Sequence, residues 1–402
     1  MGWGKKYSGY KSWQFLEENK DYKSFKLAKV IGRVPSSKVD LSKAEEERVQ
    51  SIIEKNILIS AHDHTEIFPE DPSEFVEHSR SGRPFIGYEG LALSGLDAVF
   101  ENMMDGTALM FSPDSWHWEN VVHQIGIWQA DIDHQDLVFI ARKVEDIERA
   151  FREGKIAMVI SLESPPKIGE DLTKLDVLYG LGVRVMGVVY SKNNEFGSGL
   201  ADVHDRGLTD LGYSLVERLN KLGVLIDVSH ASDKTSIDVI EASKYPVVVT
   251  HAGARALWPS RRMKPDEVIY AIAEKGGFFA IEAAPHTTIT RNHPKHSLES
   301  IMEHFQYVEK LVGIDYVAFG PDTLFGDHVA LHKVFAEYLS IKASSEEGLP
   351  PYEKVPFVDG LENPSEFPNI IRWLVKHGYS DDEIAKVIGG NILRVLKAAW
   401  KQ

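Results

Sequence analysis

No cysteine occurs in this chain. Disulfides are therefore excluded, and so are thiolate metal clusters. A bound metal would rest on His, Asp and Glu, the ligands of hydrolytic metals. Long apolar runs are also missing, since no stretch free of charge reaches membrane-spanning length. The N-terminal stretch MGWGKKYSGYKSWQFLEENKDYKSF has no apolar segment of signal-peptide type. A myristoylation signal needs Ser or Thr where Lys6 stands. These absences point to a cytoplasmic protein with no membrane partner. Positive charge is in short supply too: 45 Lys and Arg face 60 Asp and Glu, a formal net charge of −15. With no basic patch, nucleic acid is not an expected partner. The negative charge is spread through ordinary helical surfaces and reads as a solvated exterior.

The 402 residues are 43% hydrophobic, enough to bury a full core. Length alone would suggest two or three domains, but a single (β/α)8 barrel with insertions reaches this size. Residues 1–55 read as an N-terminal extension, and 56–402 as the barrel. In the extension, DLSKAEEERVQSIIEKN is a helix with an N-cap in Asp40-Leu41-Ser42 and an acidic first turn. Eight strand candidates follow, at about 56–62, 106–111, 156–162, 183–190, 224–229, 246–250, 277–283 and 315–320. Helical patterns such as LTDLGYSLVERLNKLG and LESIMEHFQYVEKLVG separate the later ones. Alternation of this kind predicts an α/β fold with a parallel sheet, closed as a TIM barrel with helical N- and C-terminal additions. Long insertions at 65–105, 112–140, 284–297 and 323–365 follow strands one, two, seven and eight, so they cover the same face. The closing stretch 366–402 reads as two or three helices against the outside or bottom of the barrel.

Imidazoles and carboxylates recur where the apolar runs end. His62 and His64 close NILISAHDH, Glu163 closes IAMVISLE, His230 closes VLIDVSH, His251 closes PVVVTH and Asp322 closes YVAFGPD. In a (β/α)8 barrel, side chains just past the strand ends converge on one catalytic face. Four imidazoles and two carboxylates meeting there describe a site for two metal ions. Residues i and i+2 of a strand share a face, so His62 and His64 can reach one metal while Asp63 turns away. Glu163 can bridge two cations with one oxygen on each, or can be a salt-bridged residue of the barrel mouth. His230 or His251 alone could be a core histidine, but two in equivalent places on adjacent strands favour ligands. Asp227 could orient a ligand from behind or be held by backbone. Asp322, beside metal-activated water, is placed to act as general base and then proton donor. Trp116 and Trp118 flank His117 in SPDSWHWENVVHQIGIW, a loop that could meet a flat substrate group or seal onto the barrel or a dimer partner.

On these residues the chain resembles the membrane (renal) dipeptidase family, binuclear zinc hydrolases of the amidohydrolase group. The resemblance runs from about residue 56 to 400 and is densest in LGVLIDVSHASDKT, VVVTHAGARALWPSRRMKPDEV, YVAFGPD and GGNILRVLKA. It implies two Zn2+ ions, or other divalent metals, held by His62, His64, Glu163, His230 and His251. It makes Asp322 the acid/base, and Arg262 in PSRRM the anchor of a substrate carboxylate. The sequence departs from the family at three places. The first motif is His-x-His where the family has His-x-Asp. The histidine that polarises the scissile carbonyl is replaced by Tyr190 in VVYSKNN. The asparagine after the anchoring arginine is Met263. A tyrosine can still donate to a developing oxyanion. The resemblance thus implies a zinc-dependent hydrolase of an amide bond in a small carboxylate-bearing molecule, with a homodimer as a possible assembly. The alternative is a dipeptidase-fold enzyme recruited to elimination, dehydration or isomerisation.

Overall fold

The computed structural model describes residues 3–103, 116–285, 287–339 and 356–400. Among these residues nine strands form the sheet: β1 Ile59–Asp63, β2 Ala98–Asn102, β3 Val138–Ile140, β4 Ile156–Leu162, β5 Val183–Gly187, β6 Leu225–Asp227, β7 Val247–Ala252, β8 Phe279–Ile281 and β9 Val317–Phe319. Every pairing is parallel, in the order β1-β2-β4-β5-β6-β7-β8-β9. One edge of β4 takes β2; its other edge takes β3 on the first half and β5 on the second. Just beyond β9, Asp322 N donates to His62 O at 2.9 Å and His64 N to Thr323 O at 2.8 Å. These bonds bring the last strand to the first and nearly close an eight-stranded (β/α)8 barrel.

One strand expectation needs correction. The run 106–111 lies outside the described residues, and the strand paired between β1 and β4 is Ala98–Asn102. Its apolar run, AVF, is only three residues long before Glu101 and Asn102, so it reads weakly beside the longer ALMF. Tertiary context supplies what local pattern does not. Asp97 accepts from Leu58 N at 2.9 Å and its carbonyl receives Ala157 N at 2.8 Å, setting the register of β2 against both neighbours.

Parallel strands covered on both faces need apolar side chains at every position, and the seven residues of β4 are all buried. Alternate residues Ile59, Ala61, Ala98, Phe100, Ala157 and Val159 share one cluster with Ile392, Val395 and Leu396 of the C-terminal helix Asn391–Ala399 and with Trp400 just after it. That helix, amphipathic at i, i+3 and i+4, packs its apolar stripe against this face of the sheet. The opposite face packs on helices such as Asp210–Leu222 and Leu298–Val312. The helix anticipated from Ser42 runs Lys43–Lys55, with Ser42 and Glu45 forming a reciprocal capping box.

The N-terminal segment is tied in rather than loosely appended. Buried Asp131 accepts from Tyr10 Oη at 2.7 Å, Ser12 Oγ at 2.7 Å, Trp13 N at 3.0 Å and Tyr88 Oη at 2.9 Å. Four donors around one carboxylate satisfy a charge that burial would otherwise penalise heavily. No helix among the described residues is long and apolar enough to cross a membrane.

Candidate metal centre

The strand ends bring the expected residues together. Nε2 of His62 lies 3.4 Å from Glu163 Oε1 and 3.3 Å from Asp322 Oδ1, and Nε2 of His64 lies 3.1 Å from that same Oδ1. His230 and His251 each place Nε2 3.7 Å from Glu163 Oε1, and those two nitrogens are 3.0 Å apart. Among the described residues, two groups have ligand atoms within 4.8 Å of one another: His62, His64 and Asp322, and His62, Glu163 and His251.

Local backbone features aim these side chains. The register shifts between Ser60 and Asp63 on β1 and between Val249 and Ala252 on β7, where His62 and His251 stand. A bulge re-aims a side chain at a strand end. Gly187 lets β5 approach Glu163 closely, because a Cβ there would sit 2.1 Å from Glu163 O. Gly320 does the same beside His62, where a Cβ would stand 1.9 Å from Thr250 O. Three non-glycine residues at the mouth hold left-handed backbone: Asp322 at φ 58°, Ser191 at φ 54° and Trp116 at φ 62°. Such conformations persist where surrounding structure enforces them, and they concentrate at functional sites.

A ring of neutral partners orients the imidazoles. The side-chain amide of Asn102 lies 2.7 Å from Nδ1 of His62, and its backbone carbonyl is 2.9 Å from Nδ1 of His64. Ser191 Oγ is 3.1 Å from Nδ1 of His230, and Thr250 Oγ1 is 2.9 Å from Nδ1 of His251. The Asn102 carbonyl, Ser191 Oγ and Thr250 Oγ1 can each accept from Nδ1 of His64, His230 and His251, which leaves those Nε2 atoms to face the shared centre as metal-binding histidines do; the Asn102 amide gives His62 the same support when its Oδ1 faces the ring. Asp63 turns away as expected, accepting from Ser60 Oγ at 2.5 Å and from Thr323 N at 2.9 Å. Asp227 touches no imidazole. It accepts from Ser229 N at 3.1 Å, Ser229 Oγ at 2.6 Å and Thr250 N at 3.0 Å, and so supports His251 through Ser229 and Thr250.

Charge and burial divide the histidines. Burial drives His230 and His251 well below the ordinary imidazole range, helped for His230 by Arg262 and for His251 by His62 and Arg262. Burial also lowers His62. Burial alone would lower His64, but its hydrogen bond to Asp322 and that carboxylate's charge outweigh it and raise it to about 10. Burial alone would raise Asp322, yet the charge of His62 and bonds from His62 and His64 hold it well below the carboxylate range. Glu163 is raised by burial.

This donor set fits divalent cations. Nε2 of His62 is buried between carboxylate oxygens of Glu163 and Asp322, at 3.4 and 3.3 Å. His230 and His251, both held neutral, point their Nε2 atoms at one another across 3.0 Å. Buried lone pairs beside two carboxylates are what a cation satisfies, and nitrogen with oxygen ligands is a zinc-type set.

The remaining residues sit around this centre. Tyr190 lies three residues past the end of β5, half-buried, with its ring stacked on His230 at 4.3 Å. Trp116 approaches Tyr190 at 5.9 Å, whereas Trp118 opens the helix Trp118–Ile132, packs on the core and carries Lys174 over its ring. Arg262 donates through Nη1 to His251 O at 3.0 Å and pairs through Nη2 with Glu282. Sequence reasoning missed Glu282, Asn102 and His328. Glu282 closes the apolar run GFFAIE, the very signal that marks Glu163. Asn102 was hidden by the misplaced second strand. His328 is buried at the start of the helix His328–Leu339, its charged form disfavoured by burial and by His332.

The sequence pattern of the membrane dipeptidase family (Peptidase family M19) matches residues 115–334 and 352–401. The chain belongs to this family. Among its relatives, dipeptidase tcpJ of Claviceps purpurea is 28% identical over 267 residues, 66% of this chain and 56% of tcpJ. Dipeptidase aclJ of Aspergillus oryzae is 29% identical over 278 residues, 68% of this chain and 59% of aclJ. The matched region thus spans little more than half the length of either relative. An amidohydrolase from Pseudomonas aeruginosa superposes with a TM-score of 0.71 at 25% identity, covering 88% of this chain and 99% of that one. As a member of the M19 family, the chain carries its two candidate metal groups at the strand ends of a TIM barrel.

Proposed function

We propose that this M19 protein is a binuclear, zinc-dependent hydrolase of the amide bond in a small carboxylate-bearing molecule. The observation that carries the reading is the position of Glu163 Oε1, 3.4 Å from Nε2 of His62 and 3.7 Å from Nε2 of both His230 and His251. The Glu163 carboxylate thus stands between the imidazole of β1 and those that follow β6 and end β7, where two metal ions would share it. His62, His64, Glu163, His230 and His251 would hold the metals, which supply Lewis acidity and bring the pKa of water towards neutrality.

The chain's own groups then divide the work. Asp322, kept ionised by His62 and His64, accepts the proton of the attacking water and returns it to the leaving amine. Burial raises Tyr190 well above the usual phenol range, with Glu163 adding to the effect, so its hydroxyl stays protonated and able to donate to the developing oxyanion. Arg262, fixed on the carbonyl of His251, anchors the substrate carboxylate. That both curated relatives are described as dipeptidases agrees with this reading.

The test is turnover of a dipeptide panel by zinc-loaded protein, followed by amino acid release. Amide hydrolysis is expected, weak on ordinary dipeptides and stronger where a larger or aromatic group can meet Trp116. Release of an unsaturated or rearranged product without free amine would replace this reading with the recruited-enzyme alternative.

A further inference from the structure

Glu282 follows β8 directly and is fully buried, and Arg262 reaches it from the segment after β7. Its other oxygen accepts from Thr288 Oγ1 at 3.2 Å. Arg262 is itself only 11% exposed. Neither charge can be left alone at such depth without a heavy penalty, so the two hold each other in place. A guanidinium has five N–H donors. Among the described residues Arg262 donates one to His251 O and sets Nη2 against Glu282 as an ion pair, so N–H groups remain for a ligand.

The pairing changes what kind of anion the anchor accepts. Glu282 is the carboxylate set directly against the guanidinium, and Thr288 holds its other oxygen, so the counter-charge is fixed in place beside the anchor. Resting on the reading of Arg262 as the carboxylate anchor, we propose that Glu282 is a specificity-determining residue that cancels the anchor's net charge. The site then takes one carboxylate through directed N–H bonds and discriminates against a second negative charge on the same carbon. An unpaired arginine would instead attract any anion, the more strongly the higher its charge.

The test is calorimetric binding to zinc-loaded protein. The ligands are N-acetylglycine, N-acetylaminomalonate, which adds a second carboxylate at the same carbon, and N-acetylalanine as a control for bulk. Wild type is expected to bind the malonate at least about tenfold more weakly than N-acetylalanine. Glu282→Gln keeps an acceptor for Nη2 but removes the charge; it is expected to tighten N-acetylglycine about tenfold and close the gap to the malonate. N-acetylglycinamide, which lacks a carboxylate, should bind alike to both proteins. Equal binding of malonate and alanine ligands by wild type would overturn the proposal without recourse to the variant. A gap that persists in folded Glu282→Gln would overturn it as well. Undiminished N-acetylglycine binding by Arg262→Ala would instead remove the anchor itself, a failure separate from that of Glu282.

Discussion

The Nε2 atoms of His230 and His251 lie 3.0 Å apart, each also 3.7 Å from the same oxygen of Glu163. Ser191 and Thr250 hold the two rings in that orientation from behind. Without a cation, one Nε2 can donate its proton to the other; a divalent ion would take the lone pairs of both.

Replacing Asp322 by Asn separates proton transfer from metal retention. Two carboxylate contacts to His62 and His64 become amide contacts of the same shape, and the five remaining donors stay. Metal content measured by mass spectrometry should hold near the wild-type value. Turnover should fall by about 100- to 10,000-fold, the usual contribution of a positioned acid/base. Loss of metal in step with activity would show Asp322 to be chiefly a ligand.

Asn102 orients His62 through its side chain and His64 through its carbonyl. Only the first contact is sensitive to mutation. Asn102→Leu should weaken zinc affinity by about 10- to 100-fold, the usual cost of losing a partner behind a ligand. Competition with a chromogenic chelator measures this, and an unchanged affinity would reduce Asn102 to a strand-end packing residue.

Such residues show where the sequence was legible and where it was not. Strand ends carrying His62, Glu163, His251 and Asp322 stand out because a titratable side chain terminates an uninterrupted apolar run. The doubly covered sheet makes those runs continuous, which is why the (β/α)8 architecture could be read from them. The second strand could not, because AVF is too short to outweigh ALMF without knowing that Asp97 locks it between Leu58 and Ala157. Asn102 was lost with it. The pairing of Arg262 with Glu282 joins residues after different strands, and no local pattern encodes that contact. Bulges at His62 and His251 are likewise products of the closed sheet.

Stability in acid should depend on Glu46. It receives Arg372 on both oxygens and Lys38 at 2.9 Å, and the Arg372 bonds are the main cause of a pKa lowered to about 2. A depressed carboxylate stabilises the fold above its unfolded value, and that contribution fades as pH falls from about 4.5 towards 2. With solvent screening at this partly exposed pair, Glu46→Gln should cost on the order of 1–2 kcal/mol at pH 7. The difference in thermal midpoint between the two proteins should shrink steadily below pH 4.5. A constant difference down to pH 2.5 would mean that Glu46 acts through packing rather than charge.

The binuclear centre itself is tested most directly by elemental analysis of wild type and His251→Ala, with amide turnover measured on the same samples. Two divalent ions per wild-type chain are expected, at least one lost in the variant, with turnover falling to background when either protein is stripped by chelator and returning to the wild type on addition of zinc. A wild-type protein that hydrolyses its substrate at full rate after complete removal of metal would contradict the account.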